Sequence, residues 1–238
     1  LPVPSRVASV IRPRAGGGAL VATERGIALG REEDLSDLKE VVSLTDDPTI
    51  RTNEGGCDPD GRFWVGTMSY DKVVGAAGVY RWDGPGTAPV LAWSGATTAN
   101  GLGFSPDGEL GYWVDTPTRT VTVLDYDARA GLADPRPFVD IDEGAGKPDG
   151  LCVDAEGGVW VALHRGSAVR RYDADGRLSE VVELPVSKVT ACTFGGEGLD
   201  LLFITTSREN LPDGVEPASG SVYACEPGVR GLEPLTFG

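Results

Sequence analysis

Four polar side chains recur at a fixed distance ahead of a turn signal. Asn53, Asn100, Asp149 and Thr190 each stand eight positions before a glycine (Gly61, Gly108, Gly157, Gly198) that follows an acid (Asp60, Asp107, Glu156, Glu197). The intervals between them are 47, 49 and 41 residues. Two amides and one carboxylate present oxygen donors, the set that suits a hard cation such as Ca²⁺ or Mg²⁺ with water completing the shell. No cysteine or histidine set accompanies them to favour Zn²⁺ or Mn²⁺, which stay as alternatives. The competing explanation is local. Asn-Gly and Asp-Gly are common turn dipeptides, and Asn53-Glu54-Gly55, Asn100-Gly101 and Asp149-Gly150 fit that description equally well.

Such residues act together only if the chain brings them together. A repeat of this length, with an acid-Gly hairpin signal between β-rich runs, is that of a four-stranded propeller blade. The clearest unit, residues 149–185, reads as strands at 150–153, 158–163, 167–172 and 178–184, with turns at Glu156-Gly157 and Asp175-Gly176. Units beginning near 53, 100 and 190 match it, and a weaker copy at 9–23 has an apolar residue, near Val7, at the register position. Trp64, Trp113 and Trp160 recur at one blade position and read as core. The polar stretch Arg31–Glu40 reads as a loop or single turn. No linker interrupts the repeats, so residues 1–238 are expected to form one all-β propeller domain. Radial closure would place the register positions at the start of each innermost strand, lining one mouth of a central channel.

Composition narrows the partners. A net charge of -15 argues against nucleic acid and against anionic membrane surfaces. No apolar stretch reaches the roughly 18 residues of a membrane helix, and no charged leader with an apolar core is visible. Cys57, Cys152, Cys192 and Cys225 form no C-x-x-C pair and read as buried free thiols, which points to a reducing, cytoplasmic setting. Other catalytic signatures fail. There is no G-x-S-x-G elbow, and His164 alone, read as a loop histidine, gives no triad. Gly144-Ala-Gly-Lys147 is followed by Pro148 where a phosphate loop requires Ser or Thr, and Gly101-Leu-Gly103 lacks the third glycine of a dinucleotide site.

Long strings resemble the senescence-marker-protein, gluconolactonase and regucalcin-like family. They include Arg51-Thr-Asn-Glu-Gly-Gly-Cys-Asp-Pro-Asp-Gly-Arg-Phe-Trp-Val-Gly-Thr-Met68, Ala99-Asn-Gly-Leu-Gly-Phe-Ser-Pro-Asp-Gly108 and Lys147-Pro-Asp-Gly-Leu-Cys-Val-Asp-Ala-Glu-Gly-Gly-Val-Trp-Val-Ala162. Leu184-Pro-Val-Ser-Lys-Val-Thr-Ala-Cys-Thr-Phe-Gly-Gly196 and Pro227-Gly-Val-Arg-Gly complete the match along the chain. The resemblance implies a six-bladed β-propeller with one divalent cation on its axis, Ca²⁺ first and Zn²⁺, Mg²⁺ or Mn²⁺ behind it. It implies Asn100 and Asp149 as cation ligands beside a Glu from the first blade. Arg51 and Asn53 are implied as substrate-facing, with Asp71 the nearest counterpart of a further substrate-contacting acid. Many members have Asn-Asp-Gly where this chain has Asn53-Glu54-Gly55.

The strand that would carry the metal-binding Glu is not in this sequence. About five blades are visible, so either about 45 residues, one blade, are missing upstream, or the site has lost one ligand. The implied activity is metal-dependent hydrolysis of a sugar lactone, with Asp149 activating water. The alternatives are a calcium-binding regulatory propeller without turnover, and a phosphotriesterase or other esterase on the same scaffold. The expected partner is the small-molecule substrate, with the protein a monomer or small homo-oligomer.

Overall fold

A computed structural model describes residues 3–238. The fold is all-β, with five blades of the β-propeller kind among the described residues. Blade 1 is β1 (Ala8–Pro13), β2 (Ala19–Thr23), β3 (Gly26–Gly30) and β4 (Lys39–Ser43). Blade 2 is β5 (Ile50–Cys57), β6 (Phe63–Ser69), β7 (Ala77–Trp82) and β8 (Val90–Ala96). Blade 3 is β9 (Ala99–Phe104), β10 (Leu110–Asp115), β11 (Thr120–Asp127) and β12 (Gly131–Asp140). Blade 4 is β13 (Lys147–Val153), β14 (Val159–His164), β15 (Ala168–Tyr172) and β16 (Leu178–Glu183). Blade 5 has three strands, β17 (Val189–Gly195), β18 (Leu201–Thr206) and β19 (Val222–Cys225). Consecutive strands are hydrogen bonded within each blade, antiparallel in blades 1, 2, 4 and 5 and along β10–β11–β12 of blade 3.

The chain divides into two compact units, Leu1–Asn100 with Pro234–Gly238, and Gly101–Glu233. In the first, Leu20, Ile27, Phe63, Val65 and Trp82 form one apolar cluster from blades 1 and 2. The C-terminal segment joins it, since Phe237 stacks on Trp82 at 5.1 Å and 10° and pairs with Arg14. In the second, Val114, Val121, Leu151, Val159 and Val161 link blades 3 and 4. Trp160, Val189, Phe194, Leu202 and Ile204 link blades 4 and 5. Each such aliphatic side chain, fully buried, contributes about 1.5–3 kcal/mol.

The repeated hairpin has a side-chain clasp. Asp58 opens the loop after β5, where its Oδ1 accepts the Asp60 and Arg62 N–H groups and its Oδ2 accepts Trp64 Nε1–H at 2.8 Å and Arg62 Nε–H at 2.7 Å. Asp154 repeats this after β13, taking Glu156 and Gly158 N–H on Oδ1 and Trp160 Nε1–H and Arg171 Nε–H on Oδ2. Both carboxylates are fully buried, a state tolerated only with complete pairing. Trp64 and Trp160 are therefore core with a polar anchor, whereas Trp113 of β10 is half-buried. In blade 3 the clasp is Ser105, whose hydroxyl accepts Leu110 N–H at 2.9 Å.

Glycine closes these loops because the backbone turns left-handed there. Gly17, Gly61, Gly108 and Gly157 have φ of +89°, +78°, +73° and +81°. Two expectations change. Blade 5 places Leu199 (φ 51°), not Gly198, at the equivalent loop position, because its glycine run Gly195-Gly196 shifts the turn. In blade 1, Gly17 stands eight residues after Ser9, so Ser9 rather than a residue near Val7 takes the register position. Residues 31–38 form a loop, tied by Asp37 accepting the Arg31 and Glu32 N–H groups. His164 is the last residue of β14, bridged to Lys188, and not a loop residue.

Candidate functional site

The register residues lie in the first strand of each blade, at its second to fourth residue, and most of them sit where the ladder breaks. In β5, Thr52 faces Thr67 and Gly55 faces Val65, so Asn53 and Glu54 together oppose Gly66. In β13, Pro148 faces Leu163 and Leu151 faces Val161, so Asp149 and Gly150 together oppose Ala162. The pairing also shifts at Ser9 in β1 and at Thr190 in β17. Such bulges re-aim a side chain out of strand alternation and gather next to active sites.

Glycine after the register residue allows close strand approach. A Cβ on Gly101 would lie 2.6 Å from the Leu151 nitrogen and 2.9 Å from the Asp149 carbonyl oxygen, and one on Gly150 would lie 2.8 Å from the Ala191 methyl. Both glycines are within strands and at ordinary φ. The Asn-Gly and Asp-Gly pairs are thus packing devices and not turns.

In the first unit, residues 47 apart in sequence are hydrogen bonded. Asn53 Nδ2 donates to Asn100 Oδ1 at 3.1 Å and to the Ala99 carbonyl at 2.9 Å. Asn53 Oδ1 accepts Arg51 Nη1–H at 3.0 Å, and the same nitrogen donates to the Thr52 carbonyl at 2.8 Å. Donors on one side and acceptors on the other fix which way the Asn53 amide points. Asn100 is buried, and Arg51 and Asn53 are half-buried. Asp71 is exposed in the loop after β6, its N–H donating to Ser69 Oγ at 3.2 Å. Asp149, half-buried in β13, belongs to the second unit, as does Thr190, whose hydroxyl bonds Thr205 Oγ1 at 2.8 Å.

Two features beside this network lack a local sequence signal. Glu54 shares the bulge with Asn53; burial pushes its carboxyl up to about 7, opposed by the positive charge of Arg12. Arg12 reaches β5 by donating to the Gly55 carbonyl at 2.5 Å. Tyr70 donates its hydroxyl to Glu24 at 2.6 Å and presents its ring 5.9 Å from the Arg51 guanidinium carbon.

A family description fits this arrangement. The SMP-30/Gluconolactonase/LRE-like region matches residues 1–208. The chain belongs to that family. Among its relatives, a pentonolactonase of Haloferax volcanii is 37% identical over 207 residues, covering 87% of this chain and 69% of the relative. A regucalcin of Xenopus laevis is 33% identical over 248 residues, 99% of this chain and 82% of the relative. The crystal structure of a calcium-binding protein, regucalcin, from Agrobacterium tumefaciens superposes with a TM-score of 0.92 at 30% identity, over all of this chain and 81% of that one.

The donor chemistry fits the cation that the family implies. Among the described residues no group of three or more His, Cys, Asp or Glu side chains could hold a metal ion. Amide and carboxylate oxygens, the donors that Asn100 and Asp149 carry, suit a hard cation and not a thiophilic one. Asn100 Oδ1 is oriented as an acceptor by the Asn53 amide in the first unit, and in the second unit the carboxylate of Asp149 stands at a bulge of β13. None of the four cysteines is in a disulfide. Cys57 and Cys192 are buried, while Cys152 and Cys225 are half-buried. Burial pushes the Cys57 thiol up to about 12, so it stays protonated.

Proposed function

We propose that this chain is a divalent-metal-dependent hydrolase of sugar lactones. The observation that carries the proposal is the Arg51–Asn53–Asn100 network, a fixed row of donors and acceptors suited to sugar hydroxyls, in a family whose 37% identical member is a pentonolactonase. Arg51 and Asn53 orient the hydroxyls, and holding a ring lactone in one pose removes much of the entropic part of the barrier. Asp71, exposed nearby in sequence, is the further substrate contact. Asn100 and Asp149 would hold the cation, Ca²⁺ first, which when bound supplies Lewis-acid polarisation of the carbonyl and stabilises the developing oxyanion. Asp149 accepts a proton from the attacking water. The new C–O bond forms at the carbonyl carbon, the ring C–O bond breaks, and the ring oxygen leaves as a hydroxyl after protonation.

The test compares hydrolysis of pentono- and hexonolactones by wild type and Asp149→Asn. A fall in kcat of at least about 100-fold is expected, the usual contribution of a positioned base. Equal rates would remove Asp149 from the mechanism. The likeness to a calcium-binding regucalcin supports one second reading, cation binding without turnover. Calorimetric Ca²⁺ binding with no hydrolysis of any lactone would favour it.

A further inference from the structure

Arg51 is held from two sides. Along its own strand its Nη1 donates to the Thr52 carbonyl and to Asn53 Oδ1. On the other side stands Tyr70, with its ring centroid 5.9 Å from Arg51 Cζ and its hydroxyl donating to Glu24 Oε1 at 2.6 Å. Glu24 is itself tied to β5, since its carbonyl accepts the Thr52 N–H at 2.9 Å. The pair thus forms a bracket from blade 1 to the loop after β6 that closes on Arg51.

Nothing in the core calls for this bracket. Tyr70 is 44% exposed, so its burial contributes little to folding. Yet both ends of the side chain are engaged. A phenol that donates to a carboxylate carries more electron density, and its ring attracts a guanidinium more strongly. The Tyr70 hydroxyl is held above the usual phenol range, first by its bond to Glu24 and only then by burial, against the charges of Arg51 and Arg6.

We infer that Glu24 and Tyr70 are positioning residues that fix the Arg51 guanidinium, and through it the Asn53 amide, for a sugar hydroxyl, so that they set affinity for sugar lactones and not the rate of the chemical step. This rests on the lactonase reading above. The substrate class follows from the chemistry: a polyhydroxylated lactone gains from a fixed guanidinium–amide pair, whereas a plain aliphatic lactone offers it no hydroxyl.

The experiment uses the full chain with Ca²⁺ in the buffer. Steady-state hydrolysis of a pentonolactone is measured beside calorimetric binding of the ring-opened pentonate, for wild type, Tyr70→Phe and Glu24→Gln. Phenylalanine keeps the ring and loses the tether; glutamine keeps an acceptor and loses the charge. KM and the pentonate Kd are expected to rise roughly 3–5-fold in Tyr70→Phe and about 2-fold in Glu24→Gln, with kcat within twofold. Unchanged KM and Kd in both variants would overturn the inference. So would a fall in kcat at constant KM, or a binding loss that only tracks a lowered Tm. Wild type that binds pentonate but hydrolyses no lactone would remove the lactonase reading, and the Kd series would still decide the role of the bracket. Wild type that does neither removes both.

Discussion

Glu54 should make this protein less stable as pH rises across neutrality. Its carboxyl titrates near 7 in the folded chain against an ordinary value of 4.5, and the cause is burial, with Arg12 opposing. Between these two values the folded protein holds a proton that the unfolded chain has released. Stability therefore falls as pH rises through that window and levels off above it. A separation of this size corresponds to about 3 kcal/mol, and partial solvent access at the half-buried side chain lowers it to roughly 2 kcal/mol.

Glu54→Gln keeps the shape and never ionises. Wild type and variant should match closely at pH 5, while at pH 8 the variant should be more stable by about 2 kcal/mol, or roughly 4–8 °C in Tm for a chain of this size. Urea denaturation at both pH values, with a chelator present, measures the difference. Other titrating groups are common to both proteins and cancel. The same stability gap at both pH values, or a less stable variant at pH 8, would refute the assignment of a desolvated acid at the β5 bulge.

Two further outcomes follow from the framework. Asp154→Ala strands the Trp160 indole N–H and the Arg171 guanidinium in a buried position, and should cost about 3–5 kcal/mol in chemical denaturation; a loss under 1 kcal/mol would contradict the clasp. Gly101→Ala drives a methyl against the Leu151 nitrogen and the Asp149 carbonyl, both backbone, and should cost about 1–3 kcal/mol; a neutral result in thermal unfolding would show that β9 and β13 do not approach as closely as described.

Much of this architecture was readable in the chain because blade hairpins are local. Acid-Gly turns such as Asp60-Gly61 and Glu156-Gly157 mark the first hairpin of a blade, and the eight-residue offset selected Asn53, Asn100 and Asp149. Three things were not readable. The bulges depend on counting two strands against each other: Asn53 and Glu54 oppose one residue only once β5 is registered on β6. The Tyr70–Glu24 bond joins residues 46 apart with no shared pattern. The turn of blade 5 was misplaced because Leu199 adopts a left-handed backbone where a glycine was expected, a conformation that a residue with a Cβ takes only when its surroundings over-determine it. The Asn-Gly and Asp-Gly pairs show the same limit, since a glycine needed for close packing and a glycine needed for a turn look identical in sequence.

The most direct measurement is pH-stat hydrolysis of a pentonolactone by the chelator-treated wild-type chain, followed by stepwise return of Ca²⁺, Mg²⁺, Mn²⁺ and Zn²⁺. The proposal predicts a rate at background after chelation, recovery on adding back a divalent cation with Ca²⁺ first, and no recovery in Asp149→Asn. Full activity in the chelated protein, or recovery in the variant equal to wild type, would contradict it.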